Sequence, residues 1–159
     1  MAENDGQADI DHVKVDDLEK VDDVKVEEVW ERLKRDPGSV LIDVRTQAEW
    51  TFVGVPDLSS LGKQLLLVEW QQFPGGQVNP TFAHQLESEL AENGASKDAE
   101  LFFICRSGQR SLLSGEAMAA VGYRACHNVA GGFEGPLDSE THRGLVAGWK
   151  AAGLPWVQR

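Results

Sequence analysis

Apolar and polar positions along this chain follow two rhythms in turn. VKVEEVWERLKRDPG (24–38) places Val26, Val29, Trp30 and Leu33 at helical spacing and stops at Asp36-Pro37-Gly38, which predicts a helix. SVLID (39–43) is an apolar run of strand length, and Thr46 stands where it would cap a helix over QAEWTF (47–52). Residues 54–80 are rich in Gly and Pro around one apolar stretch, LLLV (65–68), which predicts a strand. PTFAHQLESELAENG (80–94) carries Phe82, Leu86 and Leu90 four residues apart, with Pro80 near its start and Gly94 at its end, so a helix is expected. ELFFI (100–104) predicts a buried strand. SLLSGEAMAAVGY (111–123) predicts a helix with Leu113, Ala117, Ala120 and Val121 on one face and Gly122 as its stop. RACHNV (124–129) returns as a strand, GGFEGP (131–136) turns, and GLVAGWKAAGLPW (144–156) reads as a short helix closed by Gly153 and Pro155.

Strands alternating with helices predict an α/β fold, a parallel sheet flanked by helices on both faces. With 159 residues and 42% apolar content, one domain with a real core is expected, from about residue 24 to residue 159. Charge sharpens that boundary. The net charge is −11, of which residues 1–28 hold −8 and the remaining 131 residues −3. Residues 1–23 therefore read as an acidic, solvated leader, and the body is close to neutral. A near-neutral body lacks the basic face that nucleic acid requires. No apolar run is long enough to cross a bilayer, and MAENDGQADIDH has neither the basic start nor the apolar core of a secretory signal; a cytoplasmic location is expected. Scattered histidines (His12, His84, His127, His142) and two cysteines without zinc spacing predict no metal site.

The chemistry concentrates in FFICRSGQRS (102–111). Cys105 ends an apolar strand and precedes a helix, the place where open α/β sheets bind ligands. Gly108 tightens the loop so that successive amides can point inward, and the following helix adds the positive end of its dipole. Arg106 and Arg110 add full charges, and Ser107 and Ser111 add hydroxyls. Each of these terms favours a thiolate over a thiol. Cys126, in RACHNV, has no such neighbours in sequence and reads as a buried strand residue, with a resolving thiol as the lesser alternative.

Three motifs in order resemble the rhodanese family: LIDVRTQAEW, FFICRSGQRS and NVAGGFEG, with AAGLPW similar to the family's close. The resemblance covers nearly everything after the leader. It implies a rhodanese-like open parallel sheet of about five strands and sulfur transfer without a metal or organic cofactor. Carried over residue by residue, Cys105 is the nucleophile that holds a sulfane sulfur as a persulfide. Arg106, Ser107, Gly108, Gln109, Arg110 and Ser111 bind the substrate, their amides stabilising sulfur and the two arginines holding the donor's sulfonate. Asp43, Arg45 and Glu49 support the site. The partners implied are thiosulfate as donor and cyanide or a thiol as acceptor, with a protein donor or acceptor left open. Trp50, Trp70 and Phe73 stand equally as pocket wall or as core, and His84 as a surface or packing residue.

The sequence departs from the family in TFVGVPDLSS, which lacks a histidine, in Gly135-Pro136 where a Trp is common, and in the insertion-like WQQFPGGQVNP. The donor and acceptor therefore stay open. Two rivals remain. A phosphatase or arsenate reductase on the same fold would use a loop with arginine six positions after the cysteine, but position 111 is Ser and the arginine is at 110. A non-enzymatic binding module would not need the cysteine and arginines together, whereas a carrier that accepts sulfur from a partner protein would differ in its donor and not in the chemistry at Cys105.

Overall fold

The structure, a computed structural model, describes residues 21–158. The leader expected over 1–23 thus lies outside the described residues up to Lys20. Among the described residues the helices are α1 (Val26–Arg35), α2 (Gln47–Phe52), α3 (Phe82–Glu92) and α4 (Gln109–Ala120), with a 3-10 turn at Ser59–Leu61. The strands among them are β1 (Asp22–Lys25), β2 (Val40–Asp43), β3 (Val55–Pro56), β4 (Leu66–Leu67), β5 (Glu100–Ile104), β6 (Ala125–Ala130) and β7 (Trp156–Val157). Five of them form one parallel sheet in the order β1–β6–β5–β2–β4, the α/β architecture the alternation predicts. The other two, β3 and β7, pair antiparallel at the side.

Side chains of β5 alternate between two cores, as a period of two requires. Leu101 and Phe103, with Cys105 just beyond, face Leu86 and Leu90 of α3 and Met118 of α4. Phe102 and Ile104 face Val29 and Leu33 of α1, together with Phe133 and Trp149. Helix α1 also has its charges in register with its dipole, Glu27 and Glu28 in the first turn and Arg32, Lys34 and Arg35 in the last.

Three expectations are corrected. Residues 24 and 25, expected to start a helix, and residues 22 and 23, expected in the leader, form a strand: β1 pairs with β6 from Asp22↔His127 to Lys25↔Ala130, and only Val24 of the strand is buried. A charged edge strand with one inward residue carries almost no sequence signal.

Helix α4 packs on the opposite face from the expected one. Ser111, Ser114, Gly115 and Met118 are buried, while Leu113 and Val121 are exposed. A Cβ on Gly115 would lie 3.2 Å from Val21 Cγ1 and 3.4 Å from Phe103 Cδ1, so small residues are what allow the helix this close to the sheet. Ser114 Oγ satisfies itself on Ser111 O at 3.0 Å.

The tail at 144–156 is a series of turns, not a helix, because Gly144, Gly148 and Gly153 all take positive φ. Its anchor is Trp149, fully buried, whose Nε1 donates to Pro155 O at 2.7 Å and whose ring meets Trp30 edge-on at 5.9 Å. No helix among the described residues is long and apolar enough to cross a membrane.

Candidate active site

The central strand β5 stops at Ile104, and Cys105 is the next residue. Parallel neighbours on both sides end at the same edge, so the loop that follows opens beyond the carboxyl end of the sheet. Gly108 closes that loop with φ +126°, a conformation that L side chains rarely adopt. This turn brings Gly108 N–H to within 3.2 Å of Cys105 Sγ, as a donor. The first turn of α4 brings Ser111 Oγ to 3.1 Å from the same sulfur. Among the described residues, the amides of Arg106, Ser107, Gln109, Arg110 and Ser111 meet no protein acceptor, as expected of a tight loop feeding a helix N-terminus.

Cys105 is only 1% exposed, yet it lies on the floor of an open cavity of about 360 Å³. The cavity is walled by Gln71, Arg106, Ser107, Gln109, Arg110 and Leu113. A small anion entering from solvent would therefore meet the loop and then the sulfur.

The Gly-Gly turn after β6 grips this loop from behind. Phe133 N–H donates to Cys105 O at 2.8 Å, and Glu134 and Gly135 N–H both donate to Arg106 O at 3.0 Å. Gly132 sits at φ +65°, and a Cβ there would lie 2.6 Å from both Cys105 O and Arg106 C. The NVAGGFEG motif is thus a backbone clamp on the cysteine loop.

The charged residues divide into three roles. Asp43 and Arg45 are fully buried and paired two-pronged, with Nε–Oδ1 at 3.0 Å and Nη2–Oδ2 at 2.7 Å. Arg45 also donates to Gly54 O at 2.7 Å and lies over the Phe133 ring at 4.3 Å. The pair therefore braces β2 against the turn that holds the loop. Glu49 closes a capping box with Thr46 at the start of α2 and binds Arg110 through both oxygens, at 2.7 and 2.9 Å. Burial pushes the Glu49 carboxyl up, but the Arg110 hydrogen bonds and the Thr46 N–H outweigh it and hold it at about 2, below its ordinary 4.5. The Glu49 hydrogen bonds in turn hold the Arg110 guanidinium above its ordinary range.

This changes the expected sharing of a sulfonate by two arginines. Arg110 lines the cavity, but its charge is already matched by Glu49. Arg106 is exposed and, among the described residues, makes no ion pair. The open positive charge at the mouth is Arg106. Ser107 and Gln109 line the cavity, and Ser111 reaches the sulfur.

Of the three aromatics, Trp70 packs edge-on against Phe82 at 5.1 Å beside the core. Phe73 is exposed and lines a wider groove of about 610 Å³ that continues from the cavity past Arg106 to Phe52 and Arg143. Trp50 does not line either space. His84 is exposed on α3. Cys126 is buried in β6, with Sγ 3.7 Å from Tyr123 O.

Sequence reasoning missed Gln71 and Asn128. Gln71 lies in a loop with no periodic signal. Asn128, 5% exposed, donates through Nδ2 to Asp23 Oδ1 at 2.9 Å and to Gly108 O at 3.1 Å, and accepts from Ser111 Oγ at 2.5 Å. A polar residue inside an apolar strand, three positions before Gly-Gly, was the available signal. Among the described residues no grouping of three or more His, Cys, Asp or Glu side chains stands arranged for a metal ion.

A five-stranded parallel sheet with a cysteine loop at the end of its central strand, clamped by a Gly-Gly turn, has the rhodanese-like α/β fold. Residues 21–159 match the family described as the STR4 middle domain, and the chain belongs to that family. It is similar to the crystal structure of Rv0390 from M. tuberculosis, with 42% identity, a TM-score of 0.76, and coverage of 88% of this chain and 99% of that one. The solution structure of the polysulfide-sulfur transferase homodimer from Wolinella succinogenes shares the fold at 21% identity and a TM-score of 0.55, covering 97% of this chain and 88% of that one. The rhodanese-like domain-containing protein 4, chloroplastic, of Arabidopsis thaliana is 24% identical over 127 residues, which are 80% of this chain and 24% of that protein.

Proposed function

We propose that this chain is a sulfurtransferase whose Cys105 carries a sulfane sulfur from thiosulfate, or from a persulfide donor, to cyanide or a thiol. The carrying observation is the placement of Sγ on the floor of an anion-sized cavity, beside the Gly108 amide, in a wall that includes Arg106, which makes no ion pair among the described residues. The Cys105 thiolate attacks the outer sulfur of thiosulfate; a Cys–S–S⁻ persulfide forms, the S–S bond of the donor breaks, and sulfite leaves with the electron pair. Cyanide then attacks the outer persulfide sulfur, giving thiocyanate and regenerating the thiolate. Sulfite leaves readily when its growing charge is matched in place, a role suited to the loop amides, while Arg106 binds the donor's standing charge. The substrate-binding set is Arg106 through Ser111, and Asp43, Arg45 and Glu49 act as its support.

A phosphatase reading is weaker because the loop arginine stands at position 110, one residue short of the six-position spacing, and position 111 is Ser. The test is mass spectrometry of the protein after exposure to thiosulfate. The expected result is a gain of one sulfur that cyanide removes, lost in Cys105→Ser and kept in Cys126→Ser. A gain that survives Cys105→Ser, or turnover of para-nitrophenyl phosphate by Cys105 without any sulfur gain, would overturn the proposal.

A further inference from the structure

A chain of hydrogen bonds runs from the edge strand to the thiol, and its directions are fixed by chemistry. Asn128 Nδ2 faces two groups that only accept, the Asp23 carboxylate at 2.9 Å and Gly108 O at 3.1 Å. The amide therefore cannot be turned round, and its oxygen must be the atom facing Ser111. That oxygen only accepts, so the single proton of the Ser111 hydroxyl goes to Asn128, at 2.5 Å. The 3.1 Å contact between Ser111 Oγ and Cys105 Sγ is then an S–H bond from a neutral thiol to the hydroxyl oxygen.

Ionisation upsets this arrangement. A thiolate can only accept, so the Ser111 hydroxyl must turn its proton toward sulfur, and the buried Asn128 oxygen then loses its donor. Sulfur and Asn128 thus compete for one proton. We propose that Asn128, held in place by Asp23 and Gly108 O, is a positioning residue that restrains ionisation of Cys105 by keeping the Ser111 proton. This deepens the sulfur-transfer reading and rests on Cys105 being its nucleophile. An outer persulfide sulfur moves the charge away from Sγ, which lets Ser111 return its proton to Asn128. The relay therefore favours the loaded protein over the ionised empty one.

The charged groups on the loop and on the elements packed against it are Arg106 in the loop, Arg110 on α4, Glu49 on α2, the Asp43–Arg45 pair of β2, Glu134 of the Gly-Gly turn and Asp23 of β1. Neutral substitutions leave all of these charges in place, so their effects cancel in a comparison of variants.

The experiment is alkylation of Cys105 by iodoacetamide as a function of pH, read peptide by peptide by mass spectrometry, in wild type, Asn128→Ala and Ser111→Ala. Hydrogen bonds to an ionised group are strong enough to move such a curve by about one pH unit. Asn128→Ala frees the hydroxyl for the thiolate, and the midpoint falls by about one unit. Ser111→Ala removes the donor, and the midpoint rises by about one unit. Opposite shifts support the relay; any other pattern, including unmoved midpoints or shifts of one sign, overturns it. Thermal melting monitors folding, and the near-isosteric Asn128→Leu replaces the alanine variant if that one does not fold. Alkylation reads Cys105 without any sulfur donor. A wild type that takes no sulfur from thiosulfate but shows the opposite shifts would sink the sulfur-transfer reading alone, and the reverse result would sink the relay alone.

Discussion

Cys105, just past the end of β5, and Cys126, on the neighbouring strand β6, share one apolar cluster, at 1% and 2% exposure. Burial does not separate them. Position along the strand does. Cys126 is the second residue of β6, paired within the sheet opposite Leu101 of β5, and its Sγ lies 3.7 Å from the Tyr123 carbonyl. Cys105 comes one residue after β5 ends, where the ladder stops and the amides of a tight loop and a helix start are left over. A thiol in the first setting is a small apolar filler; in the second it meets donors and an open cavity. What distinguishes the two is the unused hydrogen-bonding capacity of the surrounding backbone, and that capacity exists only while the loop holds its shape.

The largest expected effect short of removing Cys105 itself therefore comes from the clamp behind the loop. In Gly132→Ala the new Cβ would lie 2.6 Å from Cys105 O, at φ +65°, so the loop must shift. Displacements of this size at a reacting atom lower rates by about 100-fold, and strain of this kind costs about 2–4 kcal/mol of stability. Gly62→Ala is the matched control: φ is +68°, but nothing lies within 4 Å. It should lose about 1 kcal/mol from the backbone conformation alone and leave sulfur loading unchanged. Equal activity losses in the two variants, measured with thiosulfate and cyanide, would show that the clamp does not shape the loop.

Which parts of this arrangement were legible in the sequence follows from how local they are. The loop from Cys105 to Ser111 and the Thr46 N-cap are local, so spacing alone exposed them, while the Glu49 half of the capping box appears only in the structure. The clamp showed as two adjacent glycines, although the contact it makes did not. Strand β1 was hidden because Asp22, Asp23 and Lys25 are charged and only Val24 points inward. The packing face of α4 was misread because closeness to the sheet selects serine and glycine over leucine, against the usual apolar pattern. The Glu49–Arg110 pair and the Asp23–Asn128 contact join residues 61 and 105 positions apart, which no local pattern encodes. The sequence reading treats the two arginines alike for that reason.

Arg106 and Arg110 give a second contrast of the same kind, with a smaller expected effect. Arg106 is exposed with no ion pair among the described residues, so Arg106→Ala removes one charge-assisted contact with the donor and leaves the scaffold intact. KM for thiosulfate should rise about tenfold with kcat nearly unchanged. Arg110→Ala strands the half-buried Glu49 carboxylate, so its loss should appear in stability as well as in kcat. Steady-state kinetics beside urea titration would separate the two. An Arg106 variant with unaltered KM would remove that residue from the donor site.

The Glu49 carboxylate itself supplies the smallest and most specific test, through pH. Its folded value of about 2 lies below the ordinary 4.5, so the unfolded chain takes up a proton first as pH falls. The stabilisation is therefore complete above about pH 5 and disappears as pH drops from about 4.5 to about 2. Water still screens part of the pair, which reduces the full conversion of the shift to about 2 kcal/mol. Glu49→Gln should lower stability by that amount at pH 7, and the two proteins should converge near pH 2, in urea titrations repeated across the acid range. A constant gap at every pH would mean that the capping box, and not the charge on Glu49, holds Arg110 at the edge of the cysteine loop.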